Sequence, residues 1–399
     1  MCRVPASTSR IGRVLLNAEL VRRMEIAIRM SVQWLISRGR VSSCICVLTV
    51  ALATYACSSP TGFGGPLDST WSQWPTPEDA GFNRTALEML PEYLSTLNTT
   101  GLMVVVDGKV LLHYGDLEEL SYVASVRKSI LAMLYGPYVA DGTVDLDQTL
   151  EELGMDDHGG LLEIERRATV RHLLTARSGV YHEASNTGDD SDSAPTRGSQ
   201  DPGSYFLYNN WDFNAAGAAF ELMTGGEIFD ALMTDLAEPL GFEDFQRSRQ
   251  KKSGNLDRSI YPAYHMWLST RDMARVGQLM LQEGSWDGRR LIPESWVHEV
   301  TSLVTHREQM NPASRRSGAF GYGYMWWIWD SPSVSPLYSG AYTAKGAYGQ
   351  YITVLPALAM VVAHKTAVGD GRGYSSTSWS GYQGVLNRLL AAKCQASCN

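Results

Sequence analysis

A serine and a lysine three residues apart, Ser125 and Lys128 in the stretch SYVASVRKSIL (residues 121–131), are the side chains best placed by type and spacing to do chemistry. On a helix, positions i and i+3 share a face, so hydroxyl and ammonium can meet. A serine hydroxyl is a weak nucleophile at neutral pH and needs a neighbour to take its proton. A lysine can serve once burial or a second cation lowers its pKa, and the apolar run Ile130–Leu134 suits burial. Such a tetrad also arises by chance as a solvated surface pair. Two further segments add to it. Tyr208-Asn209-Asn210 offers a phenol that relays protons and, two residues on, an amide that holds a substrate or a lysine; alone it also reads as a buried tyrosine beside a helix-start asparagine. Ala344-Lys-Gly-Ala-Tyr-Gly-Gln-Tyr351 brings small residues to a strand edge, where bare N–H groups can face a developing oxyanion. A glycine-rich hairpin turn is the plainer reading.

The elements that must position these residues follow from periodicity. Residues 58–76 are rich in Ser, Pro and Gly and read as a linker. Thr85–Leu97 has the spacing of an amphipathic helix, and residues 102–114 form two β-rich runs around Asp107-Gly108, a hairpin signal. The Ser125 helix follows directly. Further helices are expected at 170–176, 205–223, 228–240, 270–283 and 292–304. The loop 184–204, with Asp189-Asp-Ser-Asp, reads as solvated, because it lacks the regular ligand spacing of a calcium site. Strands are expected at 320–329, 335–342, 348–355 and 359–364, and a closing helix at 378–392. This order suits an α+β sandwich, an antiparallel sheet flanked by helices with a helical domain inserted in its middle.

SVRK, YNN and AKGAYGQ, in that order, resemble the marks of the serine β-lactamase and penicillin-recognising superfamily: Ser-x-x-Lys, Ser/Tyr-x-Asn and Lys/His-Thr-Gly. PEDAGF, ATVRHLLTARSGVYH, LSTRDMARVGQLMLQEG, LIPESWV and GYGYMWW fit as well. The chain is most similar to the class C-like branch, which holds esterases, DD-peptidases and 6-aminohexanoate-dimer hydrolases. The resemblance covers residues 76–392, with the helical insertion at about 129–255. It implies Ser125 as acylated nucleophile, Lys128 as its partner in proton transfer, Tyr208 as general base or relay and Asn210 as a supporting contact. It also implies an oxyanion hole from the N–H groups of Ser125 and Ala347, with Ala344 and Gly346 beside it. No metal or organic cofactor is implied. Ala344 departs from the family, which has Lys or His there; Lys345, one place along a strand, points to the other face. Substrates that need a cation at that place to grip a carboxylate, as penicillins do, are disfavoured. The expected function is hydrolysis of a small-molecule ester or amide through an acyl-enzyme. The rivals are a β-lactam- or cell-wall-peptide-acting enzyme and a non-catalytic envelope protein that binds a ligand.

Charge and cysteines bear on compartment and partner. Residues 1–56 carry eight Arg against two acids, which leaves 26 basic and 40 acidic residues in the body, a net of −14. Such a body argues against nucleic acid as a partner. Arg38 and Arg40, a short apolar run and Thr54-Tyr-Ala56 read as an export signal. Cys57 stands where a bacterial lipoprotein is cut and acylated, so the expected location is the cell envelope or periplasm, with membrane contact only through that anchor. The stretch before Met30 is odd for a signal and suggests Met30 rather than Met1 as the start. Cys394 and Cys398, in the tail 393–399, could close a small disulfide loop in an oxidising compartment. Histidines are scattered without a His-x-x-x-His pair, which argues against zinc. No Gly-x-Ser-x-Gly elbow occurs, and His265 reads as structural. Trp326, Trp327 and Trp329 suit either an acyl-group pocket or core packing.

Overall fold

The structure, a computed structural model, describes residues 61–62, 69–331, 335–369, 373–394 and 398. The chain divides into two units, 1–57 and 58–399, and the description concerns the second. The export signal, Cys57 and the alternative start at Met30 lie outside the described residues.

Eight strands make one antiparallel sheet: β1 (Thr61–Gly62), β2 (Gly101–Val106), β3 (Lys109–Gly115), β4 (Phe320–Tyr322), β5 (Trp327–Trp329), β6 (Tyr342–Gly346), β7 (Gln350–Leu355) and β8 (Met360–Lys365). Their order across the sheet is β1-β3-β2-β8-β7-β6-β5-β4. Strands β2, β7 and β8 are buried along their whole length, which explains their nearly unbroken apolar runs: both faces of the sheet are covered. Asp107 and Gly108 link β2 to β3 with φ of 48° and 73°, the paired positive values of a tight hairpin turn that matches strand twist.

Six helices matter for the site and the core: α1 (Arg84–Glu88), α2 (Leu90–Ser95), α3 (Val126–Ala140), α4 (Asn210–Thr224), α5 (Thr270–Leu281) and α6 (Trp379–Ala392). Helix α5 lies against one face of the sheet. A Cβ at its Gly277 would stand 2.4 Å from Val361 and 2.8 Å from Ile352, so only glycine allows this approach. Helix α6 covers the opposite face, where Tyr382 stacks on Tyr351 with ring centroids 4.3 Å apart and bonds Thr353 Oγ1 at 2.8 Å. Residues 116–319 add no strand to this sheet; they hold helices joined by long loops, with three short two-stranded ladders among them.

Several boundaries differ from the sequence expectation. The helix expected over 85–97 is two, α1 and α2, because Pro91 lacks an N–H and starts a new turn. The strand expected over 320–329 is a hairpin, β4 and β5, with Phe320 opposite Trp329 and Met325 at φ 59° in its turn. The helix expected over 228–240 spans those residues but is not uniform: a wider-wound stretch, Leu232–Ala237, sits between Ile228–Ala231 and Glu238–Leu240. The ends of the folded body are joined: Asn83 N donates to Ala392 O at 2.8 Å and Cys394 N to Gly81 O at 3.0 Å. The structure links Cys394 to Cys398, with Cα atoms 5.4 Å apart.

Candidate active site

Ser125 is delivered by a short ladder. Ser121–Tyr122 pairs with Trp267–Leu268, and Val123 N donates to Met266 O at 3.0 Å. Ala124 then turns the chain with φ 49°, a left-handed conformation that costs a side-chain-bearing residue about 1 kcal/mol. This kink sets Ser125 as N-cap of α3, half-buried, while Lys128 one turn on is sealed at 1% exposure. Lys128 Nζ lies 2.7 Å from Tyr208 Oη and 2.7 Å from Asn210 Oδ1, over the rings of Tyr208 and Phe213 at 4.1 Å each. The Ser125 hydroxyl lies near enough to the phenol to lower its pKa. Tyrosine, lysine and asparagine thus form one hydrogen-bonded chain, with the serine hydroxyl beside it.

Both titratable members are driven toward neutrality. Burial, then the nearby Arg127 charge, holds Lys128 well below the ordinary lysine value, against a smaller opposing pull from Asp189. Its polar partners are neutral oxygens, which do little to offset the desolvation of an ammonium. Burial pushes Tyr208 up to about 12, and the nearby Ser125 hydroxyl only partly offsets it. Arg127 is itself 2% exposed, packed 4.3 Å over the Tyr264 ring with its Nη1 unpartnered.

The turn that carries Tyr208 is clamped by residues that sequence reasoning left in solvent. Asn209 caps α4 by accepting from Trp211 N at 2.9 Å. Asp189 accepts from Asn210 N at 2.7 Å, and Asp190 N donates to Tyr208 O at 2.9 Å. Arg315 pairs with Asp190 and lies 5.5 Å over the Tyr208 ring. The loop read as solvated is therefore half-buried at Asp189 and Asp190, because its carboxylates satisfy a helix-start amide and a guanidinium. No spacing in the sequence links Asp190 to an arginine 125 residues away. Arg127 carried a signal, since a charge inside SVRK must go somewhere on a buried helix.

The end of β6 completes the site. A Cβ on Gly346 would stand 2.6 Å from Val123 O and 3.1 Å from Ser125 N, so glycine lets this strand end abut the Ser125 amide. Ala347 follows, exposed, before the chain turns through Tyr348 at φ 66° and Gly349 at φ 97°. Ser125 N–H belongs to the first turn of a helix, where amides lack intrahelical partners. Ala344 is fully buried opposite Ile352 and presents no surface to a ligand, unlike the supporting role expected for it. Of the three tryptophans, Trp326 is core, while Trp327 lies 5.3 Å from the Tyr208 ring and lines a cavity. His265 bonds Tyr122 Oη at 3.0 Å, and burial lowers it to about 4. It lines a second cavity of about 260 Å³ with Tyr122, Trp267 and Tyr374.

Comparison with known proteins gives a consistent picture. The family model described as Beta-lactamase matches residues 94–370. An uncharacterised protein of Alkalihalophilus pseudofirmus is 22% identical over 240 residues, 57% of this chain and 66% of that one, so the match spans just under two thirds of the relative. Among solved structures, a penicillin-binding protein from Bacillus halodurans aligns with TM-score 0.53 at 15% identity, covering 76% of this chain and 99% of that one. EstCE1, a hydrolase with promiscuous acyltransferase activity, aligns with TM-score 0.54 at 13% identity, covering 76% and 97%. At such identities the structures speak for a shared fold.

Proposed function

This chain belongs to the Beta-lactamase family, and we propose that within it the protein is a serine hydrolase that cleaves a carboxylic ester or amide through an acyl-enzyme on Ser125. The observation that carries the reading is a lysine sealed from water between two neutral oxygens, 2.7 Å from the phenol of Tyr208 and one helical turn from Ser125. A lysine so placed favours its neutral form and has a lone pair to offer.

Ser125 Oγ attacks the carbonyl carbon and forms the new C–O bond. Its proton passes to Tyr208 Oη while the phenol's own proton passes to Lys128 Nζ. Tyr208 ends neutral as it began, and no phenolate is needed from a group raised to about 12. Of the two roles expected for Tyr208, relay is thus favoured over base. The N–H groups of Ser125 and Ala347 hold the oxyanion. Collapse breaks the bond to the leaving alcohol or amine, which receives the proton back along the same path. Water then attacks the ester on Ser125, gives its proton to the relay and releases the acid.

The test is mass spectrometry of the 57–399 body after exposure to a fluorophosphonate, together with turnover of short-chain nitrophenyl esters. The expected result is one adduct on Ser125 and ester hydrolysis, both lost in Ser125→Ala with the melting temperature unchanged. Retained turnover in that variant would falsify the reading. Export and lipidation at Cys57 belong to the same proposal and rest on the sequence. A mature protein that begins at a diacylated Cys57 supports them, and an uncut amino terminus rejects them.

A further inference from the structure

The far face of β6 holds a cation that the site described so far does not use. Lys345 reaches into a cavity of about 380 Å³ that it shares with Asp190, Arg315, Phe320 and Trp327. Its Nζ stands 4.8 Å from the Trp379 ring centroid, 5.1 Å from Trp327 and 5.4 Å from Phe320. Among the described residues the only acid lining this cavity, Asp190, is held by Arg315 through Nε and, at 2.8 Å, through Nη2. Among the described residues no carboxylate lies within ion-pairing distance of Lys345. Aromatic faces attract an ammonium but do not neutralise it. Burial, with Arg315 nearby, lowers Lys345 to about 8, so it keeps its charge at neutral pH with no counter-ion among the described residues.

The cavity lies beside the reacting groups. Lys345 precedes Gly346, whose Cα abuts the Ser125 amide, and the Trp327 ring that forms one wall is 5.3 Å from Tyr208. Arg315 spans both rings, 5.2 Å from Trp327 and 5.5 Å from Tyr208. We infer that this cavity is an anion subsite, and that the substrates are esters or amides bearing a carboxylate a few bonds from the scissile carbonyl. The inference rests on the acyl-enzyme reading above. Lys345 would take the carboxylate, with the Arg315 guanidinium adding to the positive field and Trp327 and Phe320 walling the connecting methylenes. The cation missing at Ala344 is thereby supplied from the opposite face of the strand. Carboxylate-bearing substrates, disfavoured on sequence alone, become the favoured class.

The experiment compares kcat/KM for mono-4-nitrophenyl adipate and 4-nitrophenyl hexanoate, which share a leaving group and acyl length but differ by one charge. Wild type, Lys345→Met and Lys345→Arg are each assayed. The acid-to-neutral ratio should fall about tenfold in Lys345→Met, as expected for one charge-assisted bond, and stay near wild type in Lys345→Arg. A ratio equal in wild type and Lys345→Met overturns the subsite. Tryptophan fluorescence during titration with adipate alone separates this from failure of the hydrolase reading. Saturable binding that Lys345→Met loses, with neither ester turned over, rejects the hydrolase and keeps the subsite. No saturable adipate binding in wild type, or binding unchanged in Lys345→Met, rejects the subsite.

Discussion

A buried lysine proposed to work as a base must be kept from its proton, and the surroundings of Lys128 favour its neutral form. Protonated lysine cannot accept from the relay, so kcat/KM should be lost as pH falls through the lowered Lys128 value and should plateau above it. The charged groups that bear on Lys128 are Arg127 and Arg315, which lower its value, and Asp189 and Asp190, which raise it. Arg127→Met removes one cation, so the acid limb of the kcat/KM profile should move to higher pH; an unmoved limb would show that burial alone sets the value. Tyr208→Phe breaks the relay and should cost about 100- to 10,000-fold in kcat, read in the same ester assay with circular dichroism to check folding. Ser125 and Lys128 were legible because their relation is local, three residues on one helix. Asp190 and Arg315 were not, because their pairing joins a loop to a distant helical turn and leaves no periodic trace.

At the scale of elements, the catalytic groups depend on how closely β6 approaches the start of α3. Gly346→Ala introduces a methyl 2.6 Å from Val123 O. The strand end must shift, at a cost of about 1–3 kcal/mol in stability. If the Ala347 amide moves with it, kcat should fall about 100-fold or more; ester kinetics beside a thermal melt separate the two effects. Strand β8 carries a titration that is purely structural. His364, fully buried between Thr99 Oγ1 and Gly349 O, is lowered to about 4. Between pH 6.5 and about 4 the unfolded chain binds a proton there that the folded one refuses. Stability should therefore decline as pH falls through that window, by about 3 kcal/mol from this group once both values are passed. Chemical denaturation of wild type and His364→Gln at pH 7 and pH 4 measures it, the variant showing the smaller decline. The same scale shows why boundaries were misjudged. Apolar spacing ran unbroken through Pro91 and through the 323–326 turn, and periodicity does not register a single residue that lacks an N–H or adopts a positive φ.

Across the whole molecule, the sheet brings early and late chain together. Strand β2 pairs with β8 at the centre, and strand β6 meets a helix that lies about 200 residues before it. Most strands and helices could be read in order from the sequence, but β6 was expected at 335–342, where the structure has a tight helical turn, Pro336–Tyr338, and only the motif resemblance indicated that SVRK and AKGAYGQ share a site. The folded body also closes on itself. Asn83 bonds Ala392 and Cys394 bonds Gly81, so its two ends lie side by side. Order along the chain is then partly a matter of convenience: the body should tolerate circular permutation. A short linker from residue 394 to residue 77, with new ends opened in the exposed turn at Asp287-Gly288, would carry every group of the relay in its present place. Such a rearranged chain should fold and label at Ser125 as the parent does, since the termini would have moved and the chemistry would not.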